Sequence, residues 1–346
     1  MIKPKRLKKG DTVAIVSLSS GMGGDDIFFH KYELGKKRLE EDFGLNVVTM
    51  PNALKGSDYI KEHPEARAKD LMDAFKDQSI DGIICMIGGD DTIRLLPFID
   101  FEIINNNPKV FMGYSDTTTN HFMLYKAGIV SYYGPAILSE FAENSQMHTY
   151  TKKYVEEVLF ENKENITITS SNEWTSEFLD WTDEKNDNIP RKMNKEKYGY
   201  EVLQGKGSFE GEFLGGCLDV FQMFIGTEIW PKADEWKDKI LYLETSEDEV
   251  EPSFVEYFLR NLIAQGIIDK ISGIVIGKPQ AEKYYEEYKE VYTRIIAKEA
   301  KRPDLPILYN VNFGHTAPMC IIPNGIKAKV DLEKKEIIFA EQPMAE

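Results

Sequence analysis

The chain has 346 residues, which exceeds the usual size of one hydrophobic core, so two domains are expected, with a single large α/β unit as the alternative. Apolar residues make up 42% of the sequence, an ordinary share for a globular protein, which excludes a disordered or fibrous class. The formal net charge of -16 argues against a nucleic-acid partner and favours a small substrate.

The start of the chain and the cysteines bear on the cellular setting. The basic segment from Met1 to Lys9 is followed by no apolar stretch of signal-peptide length, and no run approaches the length of a membrane span. Cys85, Cys217 and Cys320 lie far apart without CxxC spacing, which favours neither a zinc site nor a disulfide framework. We therefore expect a cytoplasmic protein without membrane contacts.

Residues 1–155 alternate short β-branched runs with amphipathic helical segments, a pattern typical of βαβ units. The pattern predicts strands at 12–17, 46–50, 82–87 and 109–112, and helices at 32–41, 65–75 and 118–127. An N-terminal, Rossmann-like α/β domain with a parallel sheet is the expected result.

The remainder divides into a polar segment and a second folded region. Residues 156–206 lose apolar periodicity and predict a linker or insertion, in which Trp174 and Trp181 stand among polar neighbours. Residues 207–346 predict a C-terminal mixed α/β domain, with an active site in the cleft between the domains. Its expected elements are strands at 240–243, 273–276 and 306–310, helices at 253–264 and 286–300, and a hairpin of 326–331 with 336–340.

The first candidate for chemistry is Ser115. It follows the predicted strand 109–112 and immediately precedes a predicted helix, so it lies on a sharp strand-to-helix turn. That placement is typical of a nucleophile elbow, in which the first N–H groups of the helix stabilise an oxyanion, although the full GxSxG pattern is missing. The alternative is a serine that only caps the helix.

The second candidate is the loop Gly88-Gly89-Asp90, whose glycines let backbone N–H groups approach a ligand closely. Such a loop binds phosphate or lines an oxyanion hole, and an ordinary turn is the simpler interpretation. A nucleotide-dependent kinase is therefore an alternative function. Asp91 occupies the position where kinase loops of this kind require glycine.

Two further residues complete a possible triad. Glu244 ends an apolar strand, where a carboxylate needs a hydrogen-bonding partner such as histidine. His315 follows the strand 306–310 and titrates near neutrality, as a general base must. The acidic residues from Glu247 to Glu251 predict a solvated loop and no metal site. The spacing gives the order nucleophile, acid, base, but geometry alone defines a triad.

Motifs along nearly the whole chain resemble those of the LD-carboxypeptidases, serine peptidases that include muramoyltetrapeptide carboxypeptidase and the microcin C immunity proteins. The matching segments are Lys9-Gly-Asp-Thr-Val-Ala-Ile-Val16, Ile87-Gly-Gly-Asp-Asp-Thr-Ile-Arg-Leu-Leu-Pro97, Gly113-Tyr-Ser-Asp116, Tyr133-Gly-Pro135, 211–218, Leu243-Glu244, Ile271-Ser-Gly-Ile-Val-Ile-Gly277 and Gly314-His-Thr-Ala-Pro318. Their order along the chain is that of the family.

The resemblance implies a role for each matched residue. Ser115 would be the nucleophile, His315 the general base and acid, and Glu244 the group that orients His315. Backbone N–H groups of Gly89 and Asp116 would form the oxyanion hole. The resemblance also implies a homodimer and a reaction that uses neither a metal nor a nucleotide cofactor.

Two departures from the cell-wall enzymes bear on the substrate. Asp90 stands where the peptidoglycan-recycling branch commonly has tyrosine, and the polar insertion is similar to that of the microcin C immunity branch, where an aromatic ring stacks on a nucleotide base. Trp181, then Trp174, and Asp90 are therefore the candidate substrate contacts. The loop after Glu244 lacks the basic residue found in that branch, so a preference for aspartyl substrates is not implied.

Two substrate classes remain open. Aminoacyl or peptidyl nucleotides of the microcin C type are favoured over LD-linked murein peptides. Besides the kinase, a catalytically silent ligand-binding protein is the other alternative function.

Overall fold

The computed structural model describes all 346 residues, Met1–Glu346. The strands are β1 (Thr12–Val16), β2 (Asn46–Thr49), β3 (Gly82–Cys85), β4 (Val110–Gly113), β5 (Ser131–Tyr133), β6 (Thr167–Ile168), β7 (Glu173–Trp174), β8 (Asn194–Lys195), β9 (Glu201–Gln204), β10 (Ser208–Cys217), β11 (Lys239–Glu244), β12 (Gly273–Gly277), β13 (Ile307–Val311), β14 (Ile322–Asn324), β15 (Lys327–Asp331) and β16 (Glu336–Phe339).

The α-helices are α1 (Phe29–Glu41), α2 (Ser57–Glu62), α3 (Pro64–Lys76), α4 (Phe101–Asn106), α5 (Thr118–Lys126), α6 (Thr149–Val155), α7 (Leu218–Phe221), α8 (Pro252–Ala264) and α9 (Tyr285–Arg294). Short 3-10 and π segments add to them, among them Ser115–Thr117, Glu184–Asn188 and Ile295–Glu299. None of the helices combines the length and apolar character that crossing a bilayer requires.

The first domain is built on a six-stranded sheet in the order β14-β5-β4-β3-β1-β2. Strands β1 to β5 run parallel, and β14 pairs antiparallel with β5 at one edge. The inner strands β3 and β4 are buried along their whole length, as apolar strands covered on both faces must be. The four predicted strands coincide with β1 to β4, and the predicted helices with α1, α3 and α5.

The second domain contains an eight-stranded sheet in the order β6-β16-β15-β10-β11-β12-β13-β9. Its centre, β10 to β13, is parallel, and the flanking strands run antiparallel. The predicted strands, helices and terminal hairpin of this region coincide with β11 to β13, α8, α9 with its π segment, and β15 with β16. The result is a two-domain mixed α/β fold, as the sequence predicts.

The two large sheets do not follow a simple division of the chain into consecutive segments. Residues Ile322–Asn324, late in the chain, complete the first sheet by pairing with Ser131–Tyr133. Residues 156–206 are also more than a linker, because β6 and β9 form both edges of the second sheet. The segment between them carries a small two-stranded sheet, β7 with β8, and the 3-10 helix Glu184–Asn188.

Candidate active site

The turn after β4 presents Ser115. This residue has φ +62°, an uncommon value for a residue other than glycine, and it opens a 3-10 turn that leads directly into α5. The Thr118 hydroxyl donates to the Ser115 carbonyl at 2.7 Å and stabilises the turn. The predicted strand-to-helix elbow is therefore present, and the strained backbone at its apex is typical of a functional position.

The Gly-Gly loop after β3 lies directly against this turn. A Cβ atom added to Gly88 would stand 2.7 Å from the Ser115 Cβ and 2.9 Å from its Oγ, so only glycine permits the approach. The fully buried Asp116 carboxylate holds the loop in place, accepting from the Ser19 hydroxyl at 2.6 Å and from the N–H groups of Asp91 and Thr92 at 2.9 and 2.8 Å. The loop is thus fixed beside the serine.

The ends of two strands in the second domain supply a carboxylate and an imidazole. Glu244, the last residue of β11, is 1% exposed, and its Oε2 accepts from His315 Nδ1 at 2.8 Å. The backbone at Gly314, where φ is +90°, lies close to Glu244. A Cβ atom added to Gly314 would stand 2.5 Å from the Glu244 carboxyl carbon. The pairing fixes which imidazole nitrogen faces the carboxylate and leaves Nε2 for other partners.

Tyr133 connects the two halves of the site and was not among the predicted site residues. Its buried hydroxyl accepts from the Ser115 N–H at 3.1 Å and donates to Glu244 Oε1. Burial, followed by the charge of Glu244, raises the pKa of this phenol well above its ordinary value, so the hydroxyl stays a donor. The sequence signal for this residue was the Tyr133-Gly-Pro135 motif, which marked Tyr133 as part of the family pattern but did not indicate its hydrogen-bond partners.

The remaining nitrogen of His315 meets a residue that the sequence assigned to a solvated loop. Glu247 Oε2 lies 3.1 Å from His315 Nε2, and no hydrogen bond joins Ser115 Oγ to that nitrogen. Burial opposes protonation of the imidazole, but the charges of Glu244, Glu247 and Asp219 outweigh it and raise the pKa of His315 to about 9. Glu247 is largely exposed, as the predicted acidic loop implies, and its carboxylate also reaches the imidazole.

These groups open onto one cavity between the domains, with a volume of about 510 Å³, within the range of small-molecule sites. Its lining includes Gly88, Gly89, Tyr114, Ser115, Phe178, Trp181, Glu247 and His315. A larger, mostly polar cavity of about 810 Å³ adjoins it but contains neither Ser115 nor His315. The smaller cavity is therefore the candidate active site.

The three predicted substrate contacts differ in position. Trp181 lines the cavity beside Phe178, with ring centroids 6.1 Å apart. Trp174 is 8% exposed, lies under the Lys278 ammonium at 4.5 Å and does not line the cavity. Asp90 is exposed and also lies outside the lining. The position of Trp181 alone suits contact with a bound substrate.

Helix α1 holds the Trp181 segment in place. His30 Nε2 donates to the Trp181 carbonyl at 2.9 Å, while His30 Nδ1 contacts Asp187 at 2.6 Å. The buried Lys31 ammonium lies 2.7 Å from the same carboxylate and 5.9 Å from the Trp181 ring centroid. Ionic contacts thus attach the exposed insertion to the first domain.

A sulfur ligand lies close to the Glu244 and His315 pair. Ligand atoms of Cys217, Glu244 and His315 all stand within 4.8 Å of one another, a spacing that metal ions also use. Burial, followed by the charge of Glu244, raises the pKa of the Cys217 thiol well above its ordinary value, which disfavours the thiolate that binds metals. Glu244 is already engaged by Tyr133 and His315. The donor set therefore suits a hydrogen-bonded pair better than a cation.

Two family models match most of the chain. Residues 13–134 match the LD-carboxypeptidase N-terminal domain, and residues 210–330 match the LD-carboxypeptidase C-terminal domain. The chain belongs to the LD-carboxypeptidase family. The chain is a serine peptidase, as the sequence predicts, and neither the kinase nor the catalytically silent alternative has support.

The relatives of this chain are named after two kinds of function. The microcin C7 self-immunity protein MccF of Escherichia coli is 28% identical over 97% of this chain and 95% of its own length. A structure of MccF in complex with aspartyl sulfamoyl adenosine has a TM-score of 0.83 at 26% identity and covers both chains fully. The probable murein peptide carboxypeptidase of Bacillus subtilis is 27% identical over 97% of this chain and 94% of its own.

A solved structure with higher sequence identity to this chain has a similar fold. The MccF-like protein from Streptococcus pneumoniae, in complex with AMP, has a TM-score of 0.87 at 39% identity and covers 95% of this chain and 98% of its own. Fold and family therefore agree over almost the entire length.

Proposed function

We propose that the enzyme hydrolyses an amide bond through a triad of Ser115, His315 and Glu244 and an acyl-enzyme. The observation that carries this proposal is the 2.8 Å contact between His315 Nδ1 and the buried Glu244, in a cavity that also holds the elbow serine. Once Nε2 has lost its proton to water and turned from Glu247 to Ser115, it takes the hydroxyl proton as Oγ attacks the carbonyl. It then gives the proton to the leaving amine, and water releases the acid.

The oxyanion hole of the proposal consists of the N–H groups of Gly89 and Asp116. Two contacts support it: the Ser115 N–H is already used by Tyr133, and the Asp116 carboxylate fixes the loop that carries Gly89. Preorganised donors of this kind typically lower the barrier by about 3 kcal/mol each. The close approach of Gly88 to Ser115 keeps the donors near the reacting carbon.

We propose an aminoacyl or peptidyl nucleotide as the substrate, with Trp181 stacking on its base. Support comes from the aromatic pair Phe178 and Trp181 in the cavity lining, and from relatives whose structures hold AMP or aspartyl sulfamoyl adenosine. The murein peptide named for the Bacillus subtilis relative is the second candidate. It offers no base, and a stacking ring would contribute nothing to its binding.

Other features of the proposal rest only on sequence patterns or on the resemblance. A cytoplasmic homodimer, the absence of a metal or nucleotide cofactor, and the domain limits 1–155, 156–206 and 207–346 all stay predictions. The strand Ile322–Asn324 pairs with the first sheet, although it falls within the predicted C-terminal domain 207–346.

The test is a side-by-side assay of purified protein on an aminoacyl sulfamoyl adenosine and an LD-linked murein tetrapeptide, with Ser115→Ala as the control. We expect hydrolysis of the nucleotide that Ser115→Ala abolishes. Turnover of the tetrapeptide alone would establish the second candidate. Ordinary activity in Ser115→Ala would refute the triad.

A further inference from the structure

Glu247 occupies the one imidazole nitrogen that the reaction needs. Because His315 Nδ1 is bound to Glu244, only Nε2 is available to receive the Ser115 proton, and Glu247 Oε2 lies 3.1 Å from it. The Glu247 side chain is 67% exposed, lines the cavity and pairs with no lysine or arginine. It must leave His315 before attack, and it is free to move because little packs against it.

The cavity around this contact has an excess of negative charge. Its acidic lining residues are Glu140, Glu143, Glu177, Asp180 and Glu247. The only arginine or lysine in the lining is Arg191, whose guanidinium pairs with Glu143, with Nε donating to Oε1 at 2.9 Å. No unpaired cation is therefore left for a substrate carboxylate.

Glu140 is a buried member of this acidic set, and burial raises the pKa of its carboxyl, so a nearby cation would stabilise its charged form. It is 7% exposed, and its carboxylate accepts only from neutral donors, the Ala136 N–H at 3.1 Å and the Ser139 hydroxyl at 2.7 Å. A low-dielectric cavity lined by one sign of charge favours ligands of the opposite sign. The acyl part of a substrate that reaches Ser115 is thus expected to carry positive charge.

We propose that Glu247 is a specificity residue that binds an ammonium group on the acyl part of the substrate and, in doing so, releases His315 Nε2 for Ser115. The inference rests on the proposed amide hydrolysis and names the acyl groups that it favours. The exchange replaces one ionic contact of Glu247 with another, so the carboxylate stays paired, while the imidazolium loses its Nε2 proton to water and becomes the neutral base that Ser115 needs. A neutral or acidic acyl group provides no such partner.

The ammonium group is either the α-amino group or a side-chain amine of the acyl group. Four acyl sulfamoyl adenosines that differ in these amines distinguish the two. The lysyl compound carries both amines, the norleucyl compound only the α-amine, the 6-aminohexanoyl compound only the terminal amine, and the hexanoyl compound neither. We would measure kcat/KM for each with wild type, Glu247→Gln and the matched control Glu249→Gln. Glu249 belongs to the same loop but does not line the cavity.

We expect at least one of the two single-amine compounds to exceed the hexanoyl compound by about tenfold, the effect of one hydrogen bond to a charged group. The compound that does so identifies the amine. Glu247→Gln should remove the difference, and Glu249→Gln should keep it. Thermal melting would confirm that both variants fold.

Two outcomes would overturn the inference alone: equal kcat/KM for all four compounds in wild type, or a difference that persists in Glu247→Gln. Hydrolysis of none of the four would instead refute the proposed function, and the inference with it.

Discussion

The Tyr133 hydroxyl, from the first sheet, donates to the Glu244 carboxylate, from the second sheet, while it accepts from the N–H of Ser115. One phenol therefore links the turn that carries Ser115 to the carboxylate that binds His315. Since Glu244 is buried, each donor to its carboxylate counts toward keeping it charged and fixed.

Tyr133→Phe should lower kcat about tenfold with little change in KM, because the buried carboxylate loses a donor and aligns His315 less well. The pH–rate profile of the variant should shift as well, which loss of packing alone would not produce. Steady-state kinetics across pH would test both effects.

Tyr132→Phe is the matched control. Tyr132 is the neighbouring buried tyrosine, and its hydroxyl donates to the Pro343 carbonyl at 2.9 Å, away from the cavity. The Tyr132→Phe variant should lose about as much stability as Tyr133→Phe but should retain the wild-type kcat. Equal kinetic losses in both variants would reduce Tyr133 to a packing role.

Ser115→Ala and His315→Ala should each remove nearly all hydrolysis, and the double variant should be no slower than either, because both residues act in one proton-coupled attack. Single-turnover rates of the three variants would measure this, with circular dichroism to verify the fold. Losses that multiply in the double variant would contradict a shared step.

The pH dependence of the enzyme should follow His315. Its pKa is raised to about 9, and a general base must be neutral, so kcat/KM should rise as the pH increases from 7 towards 9. Of the facing carboxylates Glu244, Glu247 and Asp219, the exposed Glu247 can be neutralised with least disturbance. Glu247→Gln should move the midpoint to lower pH.

The hexanoyl compound is the substrate of choice for this profile, since it has no amine that titrates in the same range. A midpoint near the ordinary value of about 6.5 for histidine, unchanged in Glu247→Gln, would show that the carboxylates do not control the base.

Trp181→Ala should reduce kcat/KM for an adenylate roughly ten- to a hundredfold, because stacking of a base is worth about one to three kcal/mol. Activity on an LD-linked peptide, which has no base, should not change. Trp174→Ala is the contrasting variant: Trp174 is buried under Lys278, so its loss should lower the melting temperature. Equal losses on both substrates in Trp181→Ala would identify an anchor instead of a platform.

Chelators should leave the rate unchanged. The ligand atoms of Cys217, Glu244 and His315 are close together, yet the thiol stays protonated and the carboxylate is already hydrogen-bonded. The measurement is initial rate before and after EDTA, then after added zinc. Inhibition that zinc reverses would assign a metal to this cluster.

Local patterns predicted most of the long regular elements, but they missed the ten-residue strand β10, whose glycines weaken the strand signal. β1, β3 and β4 are apolar runs followed by polar turns, and α3 and α8 carry clear amphipathic faces, so periodicity was sufficient. The strand β14 was missed because it has three residues, including Pro323, which is tolerated only since β14 lies at a sheet edge.

In the active site, too, local patterns identified the residues but not their contacts across the domains. Ser115, Glu244 and His315 were predictable as residues because each follows a strand that the pattern identifies. The partner of Tyr133 and the contact of Glu247 with His315 depend on how the two domains pack, which no local pattern encodes. For the same reason the sequence ranked Trp174 beside Trp181, although only the latter lines the cavity.

The edge strand β14 has a consequence for how the molecule is made. Residues Ile322–Asn324 pair with Ser131–Tyr133, the short strand that supplies the Tyr133 hydroxyl, so the first sheet lacks its border until these later residues have left the ribosome. A pairing between residues so far apart in the sequence makes folding slow and makes the first domain depend on residues from the second half of the chain. The first sheet would then stay incomplete in the nascent chain, and the peptidase would stay inactive, until β14 is available to pair with β5.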